Sequence, residues 1–206
     1  MNETLDDKLT FRPANEASWE DLQAVLGKSD AGQCHCQRFK TRGWMWSVTT
    51  EPERAGLMRE QTNCDNPAAK QTSGLVGYLD GEPVGWCAVE PRTAYPRLLG
   101  RTPVPWKGRQ EDKDDDSVWV ITCFVTRLGY RRRGVSYAMA RATIEYARER
   151  GARALEGYPM LPAAGKNVPW GELHVGHYSV FEEAGFQEVS HPTLRRYVMR
   201  IDFEDS

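Results

Sequence analysis

The sequence lacks any apolar run long enough to cross a membrane. Its longest one, SVWVITCFV, is about half of the roughly 20 residues that a membrane-spanning helix needs. The first residues, MNETLDDKLT, have neither the basic flank nor the apolar run of a secretory signal. The five cysteines are an odd number, which does not suit a closed set of disulfides. These absences predict a cytoplasmic protein with reduced thiols and no membrane partner.

A strong net charge is also missing. The chain has 27 Lys and Arg against 29 Asp and Glu, a formal net charge of -2 at pH 7. Proteins whose main task is to neutralise a nucleic-acid backbone are usually basic, so we expect no nucleic-acid partner. With 206 residues, 40% of them hydrophobic, the chain can bury a full core without disulfides or metal. We therefore expect one domain, residues 1–206.

Two nucleotide-binding motifs are absent, G-x-x-x-x-G-K-[ST] and a G-x-G-x-x-G that follows a strand. The stretch GYRRRGVSYAMARATIEYARERGA instead sets Arg131 to Arg133 directly before Gly134 and an amphipathic helix. The free N–H groups of a helix start carry partial positive charge, so three arginines there oppose the dipole. A bound phosphate would resolve this, because a glycine lets it approach the main chain. The alternative is a solvated surface cluster.

Periodicity and turn signals predict a mixed α/β sheet with helices on both faces. The predicted strands are 9–14, 73–80, 82–90, 117–126, 152–158, 186–190 and 195–201. The predicted helices are 17–27, 51–62, the helix after Gly134, and 175–185. Asp80-Gly81 predicts a tight hairpin turn. The polar, proline-containing segment 91–116 is predicted to be a solvated loop, and 159–173 a further loop.

Around Gly134 the sequence resembles the GNAT superfamily of acyl-CoA-dependent N-acyltransferases. The family motif is Arg or Gln, two residues, Gly, one residue, and Gly or Ala, placed after an apolar strand. Arg131 to Ser136 match it after CFVT, except that Ser136 replaces the usual Gly or Ala. FEEAGF, residues 181–186, is similar to the family's late helix and Gly-Phe. The resemblance implies a GNAT fold: a mixed, mostly antiparallel sheet with splayed central strands and helices on both faces, here with insertions at about 29–50 and 91–116.

The resemblance also implies acetyl-CoA as the acyl donor, bound by main-chain groups. Those expected to pair with the pantetheine arm belong to Cys123, Phe124 and Val125. Those expected to hold the pyrophosphate belong to Arg131, Arg132, Arg133, Gly134, Val135 and Ser136. The thioester is expected between VWVITCFVT and ARALEGY. There the substrate amine attacks the acetyl carbonyl directly in a ternary complex, and a backbone N–H near Phe124 or Val125 steadies the oxyanion.

The reaction needs a base more than an acid. Freeing an alkyl amine of pKa about 10.4 at neutral pH costs about 4 to 5 kcal/mol, against about 2 kcal/mol for a thiol of pKa about 8.5. Glu90 and Glu156, on strands that should border the cleft, are the candidate bases, with surface carboxylates as the alternative. The family's usual tyrosine acid is replaced by Phe181, so Tyr178 is the candidate acid, with a half-buried structural tyrosine as the alternative. His177 is a helix cap or a proton shuttle.

Cys34-His35-Cys36 invites a metal interpretation, but a second paired set of ligands is missing, so we expect reduced thiols and no metal. The same segment carries Phe39, Trp44 and Trp46, which we expect to cover the acceptor. The acidic run EDKDDD is a soluble loop or a feature that steers a cationic amine.

These observations predict an N-acetyltransferase that acts on the primary amine of a small molecule or peptide, with a homodimer possible. The missing tyrosine and the unassigned base leave an alternative, a catalytically inactive acyl-CoA-binding sensor or scaffold. A nucleic-acid binder that uses the arginine cluster is a second alternative.

Overall fold

The computed structural model describes residues 8–27, 32–100, 102–163, 165 and 168–203. Within them a mixed sheet has the strand order β1-β2-β3-β4-β5-β7-β6. The strands are β1 (Leu9–Pro13), β2 (Gly74–Leu79), β3 (Glu82–Pro91), β4 (Val118–Thr126), β5 (Ala154–Gly157), β6 (Gln187–Thr193) and β7 (Arg196–Asp202). Neighbours are antiparallel except β4 and β5, which run parallel. The predicted mixed, mostly antiparallel sheet is confirmed.

The helices of the described residues are α1 (Trp19–Leu26), α2 (Gly43–Trp46), α3 (Glu51–Thr62), α4 (Pro103–Trp106), α5 (Val135–Glu149), α6 (Trp170–Leu173) and α7 (Tyr178–Glu183). The prediction of α3 is confirmed, and a capping box between Thr50 and Glu53 begins it. The loop predicted at 159–173 contains α6. The last helix begins three residues later than predicted because Gly176 has a φ of 91° and His177 is the N-cap. None of these helices is long and apolar enough to span a membrane.

The β2–β3 hairpin turns where Asp80-Gly81 predicted it. Both residues have positive φ, 51° and 83°, as a two-residue turn that matches the strand twist requires. The two strands then pair from Leu79 with Glu82 to Gly74 with Ala88. This hairpin sets β3 beside β4, the strand that leads to the arginine motif.

Two layers of helices cover the sheet. On one face α5 and α7 bury Met139, Ile144 and Phe181 against the apolar side of the strands. On the other face α1 buries Leu22 and Leu26 against the same sheet.

The central strands splay as the resemblance implied. β5 pairs with β4 only along Val118 to Ile121. Opposite β3, the register shifts so that Ala88 pairs with Cys123 and Val89 with Ile121, which leaves Thr122 as an extra residue in β4. Beyond Ile121, β4 therefore diverges from β5 and a wedge opens between them.

The prediction of a solvated loop at 91–116 is wrong for its first part. Arg92, Tyr95, Leu98 and Trp106 are all buried. The Arg92 guanidinium lies 4.9 Å from the centre of the Trp106 ring, so cation and aromatic ring pack together. The polarity of the segment predicted exposure to solvent, but charged groups of the segment are paired inside the protein.

Candidate functional site

The turn between β4 and α5 exposes the start of a helix. Gly134 is the N-cap of α5, with φ 83° and ψ 0°, and no side chain caps the helix there. A Cβ built on Gly134 meets nothing within 4 Å, so the main chain faces open space. The first N–H groups of a helix without a side-chain cap are a ready anion site.

A cavity of about 200 Å³, the β4–α5 cavity, opens beside this turn. From the predicted cofactor residues its lining includes Phe124, Arg131, Arg132 and Ser136. Cys123, Val125 and Val135 are buried and do not line this cavity. The Arg133 guanidinium lies 5.4 Å from the centre of the Tyr130 ring. The structure therefore brings together the predicted strand end, turn and helix start.

The wedge between the central strands is crossed by residues 173–177. The N–H of Phe124 donates to the carbonyl of His174 at 2.6 Å, and the N–H of Met160, beyond β5, donates to the carbonyl of Gly176 at 3.0 Å. The Phe124 N–H, predicted to serve the pantetheine arm or the oxyanion, is thus already satisfied within the chain. It can serve a ligand only if His174 gives up this bond.

Three side chains form a hydrogen-bonded chain at the β4–α5 cavity. His177, which lines the cavity, accepts at Nδ1 from the N–H of Ser179 at 3.2 Å and lies 2.9 Å from Ser179 Oγ. Ser179 Oγ lies 2.8 Å from Tyr137 Oη. With Nδ1 accepting, the neutral ring carries its proton on Nε2. Sequence reasoning missed Tyr137, whose position one turn after Gly134 was the available signal.

Tyr178, the predicted acid, is not part of that cavity lining. Its ring meets Tyr197 of β7 edge to face, with centroids 4.8 Å apart. Desolvation and the carboxylates of Glu188 and Glu182 raise the pKa of Tyr178. The reason for its placement is that α7 begins at Tyr178, which turns this side chain toward β7 and leaves His177 on the cavity side.

Glu90, a predicted base, is half-buried beside a cation. Its Oε2 lies 2.5 Å from Lys40 Nζ, and burial raises the pKa of Glu90 against the opposing effect of that lysine. It lines a separate cavity of about 630 Å³ that also includes Trp119 and Arg150. Glu90 is therefore a shielded carboxylate at a different cavity from that of the arginine motif.

Glu156, the other predicted base, is fully buried within a cluster of arginines. Both of its oxygens accept from Arg109, Oε1 also accepts from Arg200 at 2.9 Å, and Arg92 Nη1 lies 3.6 Å from Oε2. The Tyr158 hydroxyl donates to Oε2 at 2.9 Å. Since donors of the protein occupy both oxygens, the geometry argues against Glu156 as the base that meets a substrate amine.

The Cys34-His35-Cys36 segment is packed into the protein. His35 is buried with its Nε2 2.6 Å from Glu51 Oε1, and the Trp86 indole N–H donates to Cys36 Sγ at 3.1 Å. A hydrogen bond with the Cys123 thiol, together with burial, raises the pKa of Cys36. Among the residues that the structure describes, no group of three or more His, Cys, Asp and Glu is arranged to hold a metal ion.

The aromatic residues expected to cover the acceptor differ in their surroundings. Trp44 is 71% exposed, and Trp46 lies under the Arg54 guanidinium, 5.0 Å from it. Phe39 lines two adjoining cavities of about 350 and 390 Å³ on the other side of residues 173–177 from the β4–α5 cavity. Both cavities also include Arg97 and Arg196, which sequence reasoning did not single out.

Comparison with known proteins identifies the fold. Residues 38–159 match the model of the acetyltransferase (GNAT) family. No curated protein matches the chain. A GCN5-related N-acetyltransferase from Kribbella flavida is 18% identical, with a TM-score of 0.54, over 96% of this chain and 99% of that one. A GNAT-family acetyltransferase from Bacillus anthracis is 15% identical, with a TM-score of 0.53, over 95% of each chain.

The protein yncA from Salmonella typhimurium, solved with its cofactor acetyl-CoA, is 12% identical, with a TM-score of 0.51, over 97% of this chain and 96% of that one. At such identities these structures show the fold, and the family model spans more than half of the chain. With splayed central strands and a glycine-led helix start beside them, the chain belongs to the GNAT family of acetyltransferases.

Proposed function

We propose that this protein is an N-acetyltransferase that moves an acetyl group from acetyl-CoA to the primary amine of a small molecule or peptide. The observation that carries the proposal is the start of α5, which has no side-chain cap and adjoins a cavity lined by Arg131, Arg132 and Ser136. Family membership supplies the reaction class. Acetyl-CoA is the cofactor of yncA, which shares the fold.

The residues of the turn fit a diphosphate. The helix start offers N–H donors, the open space at Gly134 admits a bulky anion, and Arg131 and Arg132 add charge-assisted hydrogen bonds. The main chain of Arg131 to Ser136 would hold the pyrophosphate and that of Cys123 to Val125 the pantetheine arm. Acetyl-CoA, when bound, supplies an activated acetyl thioester to the amine.

The reaction forms one N–C bond and breaks one C–S bond, and a proton passes from the amine to the departing thiolate. We propose His177 for proton supply to the thiolate, in preference to Tyr178, because His177 lines the β4–α5 cavity and is oriented by Ser179. Glu90 stays our proposal for the base, acting through water from its separate cavity, and burial raises its pKa. We propose that Glu156 stabilises the fold and does not contact the substrate.

The proposal also covers the domain organisation and the cellular location of the protein. We propose that residues 1–206 form one domain with insertions at about 29–50 and 91–116, and that it works in the cytoplasm, where its thiols stay reduced. A homodimer is compatible with direct transfer in a ternary complex. The inactive sensor is the competing proposal, favoured by Phe181 at the usual tyrosine position and by the occupied Phe124 N–H.

Two measurements separate these proposals. Titration calorimetry with coenzyme A tests the anion site, and thiol release from acetyl-CoA with a panel of amines tests transfer. Binding with amine-dependent thiol release supports the enzyme. Binding without release for any amine supports the inactive sensor, and absence of heat with coenzyme A contradicts both.

A further inference from the structure

The two adjoining cavities that share Phe39, Arg97 and Arg196 form a cleft rich in arginine, which we call the arginine cleft. Arg38 and Arg195 also line it. The four arginines come from three separate parts of the chain: the segment before α2, the segment before α4, and the β6–β7 hairpin. No local sequence motif predicts the arginine cleft, because the four arginines come together only in the fold.

The positive charge of the arginine cleft is largely uncompensated. Among the described residues that line it, the only carboxylate is Glu172, 3.5 Å from Arg195 Nη1. Arg196 donates through Nε and Nη2 to the carbonyl of Tyr158, at 3.2 and 2.8 Å, and Arg97 donates through Nη1 to the carbonyl of Arg38, at 2.9 Å. Carbonyls fix these guanidinium groups in place without neutralising them.

Burial and the nearby arginines lower the pKa of two residues that line the cleft. Burial and the Arg38 cation lower the pKa of Arg196. Burial also lowers the pKa of His174, which lines the cleft, to about 4, and Arg38 and Arg196 act in the same direction. A bound anion would offset both the desolvation and the mutual repulsion of these cations.

The size and the walls of the arginine cleft suit a small molecule. Its cavities of about 350 and 390 Å³ lie at the lower end of the roughly 300 to 1,000 Å³ range of small-ligand sites. Leu98, Val104 and Tyr158 add apolar surface to the cavity that Arg97 and Arg196 also line. A short hydrocarbon chain with one acidic group matches this mixed lining.

The position of the arginine cleft relates it to acetyl transfer. Glu172 and His174 line the cleft, whereas Leu173, Gly176 and His177 line the β4–α5 cavity. Residues 172–177, which are the end of α6 and the turn after it, therefore lie between the two cavities. A molecule bound at the arginines would lie beside the segment that crosses the wedge where the thioester is expected.

We propose, on the basis of the proposed acetyltransferase function, that the acceptor is a small amine that also carries a carboxylate, phosphonate or phosphate group. Arg97 and Arg196 bind the anion, and the amine reaches the acetyl carbonyl. The N–C bond forms as the C–S bond breaks, and the amine proton ends on the coenzyme A thiol. A polyamine is disfavoured, because its cations would face four arginines.

The test compares amine acceptors that carry an acidic, a neutral or a cationic group. Thiol release from acetyl-CoA is measured with β-alanine, 2-aminoethylphosphonate, the primary amide of β-alanine, and spermidine. We expect the two acids to exceed the amide by about 10- to 100-fold in kcat/KM, the value of one or more hydrogen bonds to a charged group. Equal or higher values for the amide or spermidine overturn the proposal.

Variants locate the effect in the cleft. Arg196→Gln and Arg97→Gln should lower kcat/KM for the acids about 10- to 100-fold and leave the amide within about twofold. Arg196→Lys should restore part of the loss, and Arg59→Gln, an exposed arginine on α3, serves as the control. Equal losses for acid and amide in the cleft variants contradict the proposal.

A binding arm separates this inference from the proposed function. Should no amine release thiol, calorimetry with 2-aminoethylphosphonate is run on the protein with and without coenzyme A. Binding that Arg196→Gln weakens about tenfold or more supports the arginine cleft as an anion site even if the transfer reaction fails. Absence of binding, or binding unchanged in that variant, overturns the inference while leaving a coenzyme A site intact.

Discussion

Substitution of Gly134 should weaken coenzyme A binding beyond its effect on stability. An L-residue in the left-handed conformation costs about 1 to 2 kcal/mol, and Gly134 has a φ of 83°. The added methyl group meets no protein atom within 4 Å, so the conformational cost is its whole effect on the ligand-free fold. With a diphosphate present, the methyl group stands where the ligand approaches the main chain.

The other end of the same helix supplies the control. Gly151, two residues after the end of α5, has a φ of 76°, and a Cβ built on it also meets nothing within 4 Å. Gly134→Ala and Gly151→Ala should therefore lower the free energy of unfolding by similar amounts, about 1 to 2 kcal/mol. Urea denaturation measures this first.

Affinity for coenzyme A should then separate the two variants. Loss of one N–H bond to a charged phosphate is worth about 1.5 to 3 kcal/mol, which corresponds to about 10- to 150-fold in Kd for Gly134→Ala. Gly151→Ala should bind as the natural chain does. Calorimetry at constant salt measures both, and equal affinity in the two variants would refute the assignment of the diphosphate to the start of α5.

Three further predictions concern charge and proton transfer. Glu156→Gln removes the carboxylate from buried arginines and should lower the free energy of unfolding by about 3 to 5 kcal/mol in urea denaturation. Glu145→Gln, at an exposed pair, should lower it by under about 0.5 kcal/mol. Similar losses in the two variants would contradict a structural role for the Glu156 cluster. His177→Asn keeps an N-cap acceptor but removes the imidazole, so kcat for thiol release should fall about 100-fold. Tyr178→Phe should change kcat less than twofold. A larger fall in Tyr178→Phe than in His177→Asn would identify Tyr178 as the acid. Because the pKa of His174 falls from 6.5 unfolded to about 4 folded, its neutral form stabilises the fold at pH 7, and this stability is lost as the pH falls from 6.5 toward 4. The free energy of unfolding should fall by about 2 kcal/mol between pH 7 and pH 5. The midpoint of urea denaturation should depend less on pH in His174→Gln than in the natural chain.

Local patterns predicted the parts of the fold that local chemistry determines. Asp80-Gly81 specifies a hairpin because both positions need positive φ. The helix predicted at 51–62 has the same bounds in the structure, where a capping box between Thr50 and Glu53 begins it. The arginine motif before Gly134 predicted the turn and the helix start of the candidate site for the same reason. Each of these signals lies within a few residues of the structure that it forms.

The packing of the second insertion depends on partners that lie far apart in the sequence. Arg109 and Glu156 are 47 positions apart, and a charge-rich segment looks like a solvated loop when its partners are unknown. The arginine cleft was missed for the same reason. Its four arginines come from three segments, and each alone is typical of an exposed surface residue.

Residues 173–177 explain why the catalytic side chains were harder to predict than the cofactor turn. The turn between α6 and α7, with Gly176 at a φ of 91°, places His174 in the arginine cleft and His177 in the β4–α5 cavity. Its carbonyls also accept from Phe124 on one side of the wedge and from Met160 on the other. Acceptor and thioester can meet only across this stretch, and the exchange of one net hydrogen bond at Phe124 costs about 1 kcal/mol. A ligand that offers an acceptor to the Phe124 N–H in place of the His174 carbonyl would offset this cost, because it would make the same kind of hydrogen bond.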